Sequence, residues 1–180
     1  YGGFVRQDES LKEAANRVLY QCTGICDNYI RQVGAFGDID RDPGDRVISI
    51  AYCALTNVAD YDKNLLAKYD LKWVDLNKLP DLYGDHIEMV RLALAQLRKL
   101  LNTEPISFNL LPHLFTLTQL QHVHEAILGV EIDKRNFRKK IKLIDFIERT
   151  ELIDKVTSKR GAALYRFNRK TYKNSPTFKL

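Results

Sequence analysis

Apolar residues recur at helical intervals in several stretches of the chain, separated by polar, turn-forming segments. In the first stretch Leu11, Ala14, Ala15, Val18, Leu19 and Cys22 fall on one stripe, and Gly24 stands where a helix C-cap belongs. Arg46 to Thr56 is rich in Val, Ile, Tyr and Leu and predicts a mostly buried strand. Trp73-Val74-Asp75-Leu76 predicts a short strand closed by Leu79-Pro80. Asp85 with Glu88 three residues on predicts a capping box, and Ile87, Val90, Leu94, Leu97 and Leu101 continue the helix it opens. Asn102-Thr103-Glu104-Pro105 then breaks the pattern and is a candidate domain boundary.

Beyond that break the local signals support one another. Thr116 and Gln119 form a second capping box, with Phe115 placed to staple onto Leu120. The helix it opens carries Leu117, Leu120, Val123, Ile127 and Leu128 and stops at Gly129. A tight link, Val130-Glu131-Ile132, leads to Asp133 as N-cap of a second helix. At ~100° per residue, Phe137, Ile141 and Ile144 cluster within about 60° on one face of it. Arg135, Lys139 and Lys142 take the opposite face, with Asn136 and Arg138 flanking. A hairpin follows: a strand over Phe146–Val156, a basic tip Thr157-Ser158-Lys159-Arg160-Gly161, and a return strand over Ala163–Phe167. Two helices on a tight turn, the second cationic outward, followed by a hairpin, predict a winged helix-turn-helix.

The chain has 180 residues, 45% hydrophobic and 28% charged, an ordinary globular composition that excludes wholesale disorder. No apolar run approaches the ~20 residues of a membrane span, and no secretion signal is present. Three sparse cysteines (Cys22, Cys26, Cys53) fit a reducing cytoplasm rather than a disulfide scaffold. Net charge is +5 and strongly asymmetric. Residues 1–130 hold 13 Lys/Arg against 17 Asp/Glu, whereas residues 131–180 hold 15 against 6. A mildly acidic body with a basic C-terminal module is the distribution expected when only that module meets a polyanion.

Clustered Lys and Arg bind phosphates by releasing condensed counterions, while Arg and Asn can contact base edges in the major groove. The candidate DNA-binding residues are therefore Thr118, Gln119, Lys134, Arg135, Asn136, Arg138, Lys139, Lys142, Lys159 and Arg160. A winged-helix adapter with a solvated charged face is the bland alternative. RNA is disfavoured, because no aromatic motif of the single-strand-binding type lies on a predicted sheet. The acidic loop Asp38, Asp40, Asp42 and Asp45 could bind a cation, but with Arg41 and nearby Tyr and Phe it reads rather as the mouth of a sugar or nucleotide pocket, or as a solvated turn. Its candidate effector-binding residues are Tyr29, Phe36, Asp40, Arg41 and Arg46. His122 and His124 point to different helix faces and read as a surface and a core-edge histidine; Cys22 and Cys26 read as buried thiols.

One spacing carries a resemblance. Gly3, Glu9, Arg17, Leu19, Gly24 and Ile25 match the frame Gly-x5-Glu-x7-Arg-Glu-apolar-x-Glu-Glu-x-Gly-apolar of the Nudix box. That family's box is a loop–helix–loop whose glutamates hold magnesium against a pyrophosphate. The three metal-site positions of the box are here Val18, Gln21 and Cys22, and none offers a charged hard oxygen. The resemblance implies a structural ion pair between Glu9 and Arg17, no metal site, no catalytic residue and no cofactor.

The likeness extends through Gly34-Ala35-Phe36-Gly37, Arg41-Asp42-Pro43, Arg46–Tyr52, Trp73-Val74 and Asp85-His86 to Phe115-Thr116-Leu117, Asp133–Arg138 and Gly161–Tyr165. Together these resemble the Nudix-related transcriptional regulators, with the arabinose-responsive (AraR-type) branch the nearest likeness and the NAD-metabolism (NrtR-type) branch second. The resemblance implies an α+β chain. A Nudix-like α/β/α sandwich over residues 1–102, lacking its first strands, precedes a winged helix over 103–170; residues 171–180, with Pro176 and little periodicity, read as an extended tail. It further implies a cytoplasmic homodimer that binds double-stranded operator DNA as a repressor of sugar utilisation, with no membrane association. The implied effector is L-arabinose, or in second place an ADP-ribose-like nucleotide. A surviving Nudix hydrolase acting on ADP-ribose or a related nucleoside diphosphate derivative is the alternative.

Overall fold

The computed structural model describes residues 2–26, 29–57 and 63–174. The chain divides into two compact units, Tyr1–Gln96 and Leu97–Leu180. The division falls inside a helix, upstream of the Asn102–Pro105 break.

In the first unit, helix α1 (Leu11–Thr23) opens on a full capping box between Ser10 and Glu13 and closes on Gly24, whose N–H donates to the Tyr20 carbonyl. The loop before it is held against the helix by one side chain. Arg17 donates from Nε to Glu9 Oε2 at 2.8 Å and from Nη2 to the Phe4 carbonyl at 2.9 Å. Glu9 in turn accepts the Arg6 backbone N–H at 2.9 Å. Gly3 lies so close to the helix that a Cβ there would sit 2.8 Å from Val18 Cγ2. The implied Glu9–Arg17 pair is thus present and anchors the loop.

Strands β1 (Tyr29–Phe36) and β2 (Ser49–Leu55) pair antiparallel, with Tyr29 opposite Leu55 and Phe36 opposite Ser49. The ladder slips between Gln32 and Gly34. The Val33 carbonyl accepts 2.6 Å from Gln96 Nε2 of helix α3 (His86–Leu100), which supplies a partner at the irregularity. Helix α2 (Lys63–Lys68) lies between β2 and α3 in the chain.

Several expectations are corrected here. Strand β1 was not foreseen, because its Arg31-Gln32-Val33-Gly34 stretch lacks a clean alternation. β2 is half-buried throughout except at Leu55. Residues 73–75 form no strand; instead Asp75 caps a single 3₁₀ turn, Leu76–Lys78, by accepting the Asn77 N–H. The side chains of the expected Asp85–Glu88 capping box are taken elsewhere, Asp85 by Arg41 and Glu88 by Arg91. Cys22 is buried as read, whereas Cys26 is exposed. No helix among the described residues is long and apolar enough to cross a membrane.

The second unit follows its sequence pattern closely. A 3₁₀ turn, Ile106–Asn109, precedes the short strand β3 (Phe115–Thr116) and helix α4 (Leu117–Leu128). Thr116 and Gln119 form the foreseen capping box and Gly129 the foreseen C-cap. Helix α5 (Lys134–Ile141) starts at Asp133, whose carboxylate accepts the Asn136 N–H at 2.8 Å. Strands β4 (Ile147–Asp154) and β5 (Ala162–Phe167) form the hairpin, and β3 adds to β5, giving sheet order β3-β5-β4. Residues 171–174 are not extended, since Arg169–Asn174 forms helix α6; residues 175–180 of the expected tail lie outside the described residues.

The core joins Phe115, Leu117, Leu120, Phe137, Ile141, Phe146 and Ile147. Phe146 is crossed edge-on by Phe167 at 5.8 Å and by Tyr172 at 5.2 Å, a geometry that suits the ring quadrupoles. Gly161 returns the hairpin at φ 78°, where a Cβ would also lie 2.8 Å from Ile153 Cγ2, so both the turn and the packing require glycine. His124 is 3% exposed, with its ring edge-on to Phe137 at 5.5 Å and Nε2 without a partner among the described residues.

Two pH dependences follow. Arg17, and then the Arg6 N–H, hold Glu9 at about 2 against an ordinary value of 4.5. The stabilisation is complete above pH 4.5 and lost as pH falls towards 2. Glu9→Gln should therefore lower the melting temperature at pH 7 and flatten the acid limb over that window, as read by thermal melts at stepped pH. Burial pulls His124 down to about 4 from 6.5. The unfolded imidazole then takes its proton first, and stability drains as pH falls from 6.5 to 4. His124→Leu should gain melting temperature relative to the parent at pH 5 compared with pH 7.5.

Candidate nucleic-acid interface

The outward face of α5 is assembled by exclusion. Phe137 and Ile141 are 5% and 2% exposed, and Ile144 packs at the core margin. One turn of helix cannot bury these and also bury the residues opposite. Lys134, Arg135, Asn136, Arg138 and Lys139 are exposed as a result, together with Lys142 at the helix end and Lys140, which the sequence reading left out. Among the described residues none of these cations has a carboxylate partner. The face is therefore a field of uncompensated positive charge on a rigid element, with the Asn136 amide set among cations.

What aims that face is the turn between α4 and α5. Gln121, on the buried side of α4, donates from Nε2 to Glu125 Oε1 at 2.8 Å and to the Ile132 carbonyl at 3.0 Å. Glu125 Oε1 also accepts the Ile132 N–H at 3.0 Å. Both backbone groups of Ile132 are thus satisfied from α4, which fixes the exit of the turn. The hydrogen bond from Gln121, and then that from Ile132, hold the Glu125 carboxyl below its ordinary range. The sequence reading missed this pair; the signal was the polar i, i+4 couple Gln121/Glu125 beside an otherwise apolar helix face.

The remaining sequence candidates separate. Lys159 and Arg160 are exposed at the hairpin tip. Thr118 is half-buried at the start of α4, and Gln119 is committed to its cap, accepting from Thr116 N at 2.8 Å and Oγ1 at 3.1 Å. The candidate effector residues all belong to the first unit. Arg41 is bound bidentately to Asp85 at 2.8 and 2.9 Å, with its side chain 7% exposed. Arg46 donates to the carbonyls of Gly37 and Asp38 at 2.8 and 3.2 Å, and Asp40 is exposed. Tyr29 and Phe36 stand at opposite ends of β1, both half-buried, with Arg31 donating to the Tyr29 hydroxyl at 3.0 Å. The arginines are thus structural ties of the loop, and Asp40 is exposed on it alongside Asp38 and Asp45.

The box positions do not suit magnesium. Val18 packs under Gly3, Cys22 is 3% exposed, and Gln21 accepts a long 3.4 Å hydrogen bond from Arg17. Glu9 is occupied by Arg17 and Glu13 by the Ser10 cap. No cluster of three or more His, Cys, Asp or Glu fit for a metal exists among the described residues.

Residues 107–167 match the family described as the NrtR DNA-binding winged helix domain. The chain is 35% identical over 175 residues to the ADPR responsive transcriptional repressor NtrR of Acinetobacter baylyi, spanning 95% of this chain and 70% of that protein. The chain belongs to the NrtR family of Nudix-related transcriptional regulators. Shewanella oneidensis NrtR, solved in complex with a 27mer DNA, matches with a TM-score of 0.78 at 29% identity, over 95% of this chain and 80% of that one. An ADP-ribose pyrophosphatase of Methanocaldococcus jannaschii is 32% identical over 90 residues, half of this chain and 53% of the enzyme. A MutT/nudix family protein from Enterococcus faecalis, at 22% identity and a TM-score of 0.62 over 92% of this chain and 72% of its own, shares the fold.

These relatives confirm an α+β chain with a Nudix-like part and a winged helix, and a DNA-binding transcriptional regulator. They support the NrtR branch in place of the arabinose-responsive one as the nearest likeness. Single substitutions on α5 test whether this face meets DNA. Arg135→Ala and Lys139→Ala should each lower the slope of log binding constant against log salt by about one, as measured by mobility shift. An unchanged slope would remove that side chain from the phosphate contacts.

Proposed function

We propose that this NrtR-family chain is a repressor that binds double-stranded operator DNA through α5 and the hairpin tip and is released by an ADP-ribose-like effector in its Nudix-like unit. The observation carrying the proposal is the exposed, unpaired cationic face of α5, buried only along Phe137 and Ile141. The effector class is supported by the Acinetobacter relative, an ADPR responsive repressor. The Nudix-like unit binds without hydrolysing, because Val18, Gln21 and Cys22 leave magnesium without carboxylate ligands. Asp40, exposed on the 37–48 loop with Asp38 and Asp45, offers a carboxylate to ribose hydroxyls, while Arg41 and Arg46 shape the loop.

A twofold homodimer in the cytoplasm completes the reading. Two copies of α5 would then meet half-sites about one helical turn of DNA, or a multiple of it, apart. L-arabinose, and with it sugar utilisation, is the second choice of effector, since a carboxylate-lined loop also suits a pentose. The hydrolase reading has one observation in its favour, the likeness of half the chain to an ADP-ribose pyrophosphatase.

One experiment separates them. A mobility shift with promoter DNA is run with ADP-ribose, with L-arabinose and with neither, beside a magnesium-dependent assay for ADP-ribose cleavage. Release by ADP-ribose alone, without cleavage, is expected. Because coupling between two ligands is reciprocal, operator DNA should weaken ADP-ribose binding by the same factor. Release by arabinose, or sustained cleavage, would overturn the effector assignment or the non-catalytic reading respectively.

A further inference from the structure

Helix α6 lies beyond the matched winged-helix region, which stops at residue 167, and it is strongly basic. Arg169, Lys170 and Lys173 are exposed, and none of them pairs with a carboxylate among the described residues. The helix is nonetheless firmly seated. Asn168 donates its N–H to the Phe146 carbonyl at 2.8 Å and its Nδ2 to Glu148 at 2.6 Å. Its Oδ1 accepts the N–H groups of Lys170 and Thr171 at 2.9 and 3.2 Å. Tyr172 packs on Phe146 and Phe167 with ring centroids 5.2 and 5.7 Å away. A solvated basic tail needs no such anchorage, and the acid nearest the seat, Glu148, is already held by Arg166 and Asn168.

The seat places these cations at one end of the hairpin. α6 begins at the Phe146 end of the hairpin, where the chain leaving α5 enters β4. The other basic group, Lys155, Lys159 and Arg160, sits at the opposite end of the same hairpin. Eight residues of β4 separate the two ends, roughly 25 Å of extended chain. That exceeds the ~12 Å width of the major groove. Cations at both ends of the hairpin therefore suit the two phosphate backbones that border the groove receiving α5.

We propose that α6 is a phosphate clamp on the operator. On this reading Arg169, Lys170 and Lys173 neutralise backbone phosphates flanking the α5 site and read no bases. The inference rests on the DNA-binding reading above. Each phosphate contact contributes about 0.9 to the salt slope of binding. The triple variant Arg169→Gln, Lys170→Gln, Lys173→Gln should therefore lower the slope by about two to three. Operator affinity should fall, while the ratio of operator to non-operator binding is unchanged. Lys12→Gln, a surface change on α1, should leave the slope as it was.

Thermal melts of every variant accompany the titrations, and a milder pair, Lys170→Gln with Lys173→Gln, should lose about two if the triple variant melts early. A parent that binds operator with a slope equal to that of both α6 variants overturns the clamp and leaves the DNA reading standing. An acidic protein partner would produce that same result. A parent that does not bind DNA at all overturns both.

Discussion

The burial of Phe137 and Ile141 beneath α5 is the constraint on which the rest of this protein's function depends. A helix has one side to give to a core, and here that side is fixed by two large apolar residues within a run otherwise made of Lys, Arg and Asn. Moving the cations inward would require desolvating several charges without partners, at a cost far above what the core gains. The positive face is therefore a consequence of packing as much as of composition. The Gln121–Glu125 couple supplies the remaining orientation by satisfying both backbone groups of Ile132, so that α5 leaves the turn in one direction.

The first unit applies the opposite logic to an inherited frame. Its loop–helix–loop keeps the contacts that make the frame stable, the Glu9–Arg17 pair and the close seat of Gly3 on Val18. The same helix has given its inward positions to packing: Cys22 is core, and Val18 fills the space beneath the loop. Side chains that fill such positions cannot also offer oxygens to a hard cation.

Charge is distributed unevenly along the chain. Acids dominate the first 130 residues, and within them arginines are consumed in internal ties such as Arg41–Asp85 and Arg17–Glu9. In the last fifty the cations of α5, the hairpin tip and α6 have no carboxylate partner among the described residues. Their field adds to attraction for a polyanion over a wide surface, which favours fast association and strong salt dependence.

The amino-acid sequence by itself determined the winged helix. Its capping boxes, glycine stops and apolar spacings are local signals that all specify the same elements, and Thr116–Gln119, Gly129, Asp133 and Gly161 stand where they require. It also determined the Glu9–Arg17 tie, through a frame shared with a known family. Tertiary structure alone decided β1, whose irregular register is completed by Gln96 from a distant helix. It turned the expected strand at 73–76 into the approach to and start of a capped turn, and it drew Asp85 from its own helix to Arg41 across 44 residues of chain. It likewise decided that α6 is a seated helix rather than a tail, because Tyr172 and Asn168 find partners in Phe146 and Glu148, well back in the sequence. Signals that close within one turn of helix are legible in a linear string. Those that need a partner brought in by folding are not.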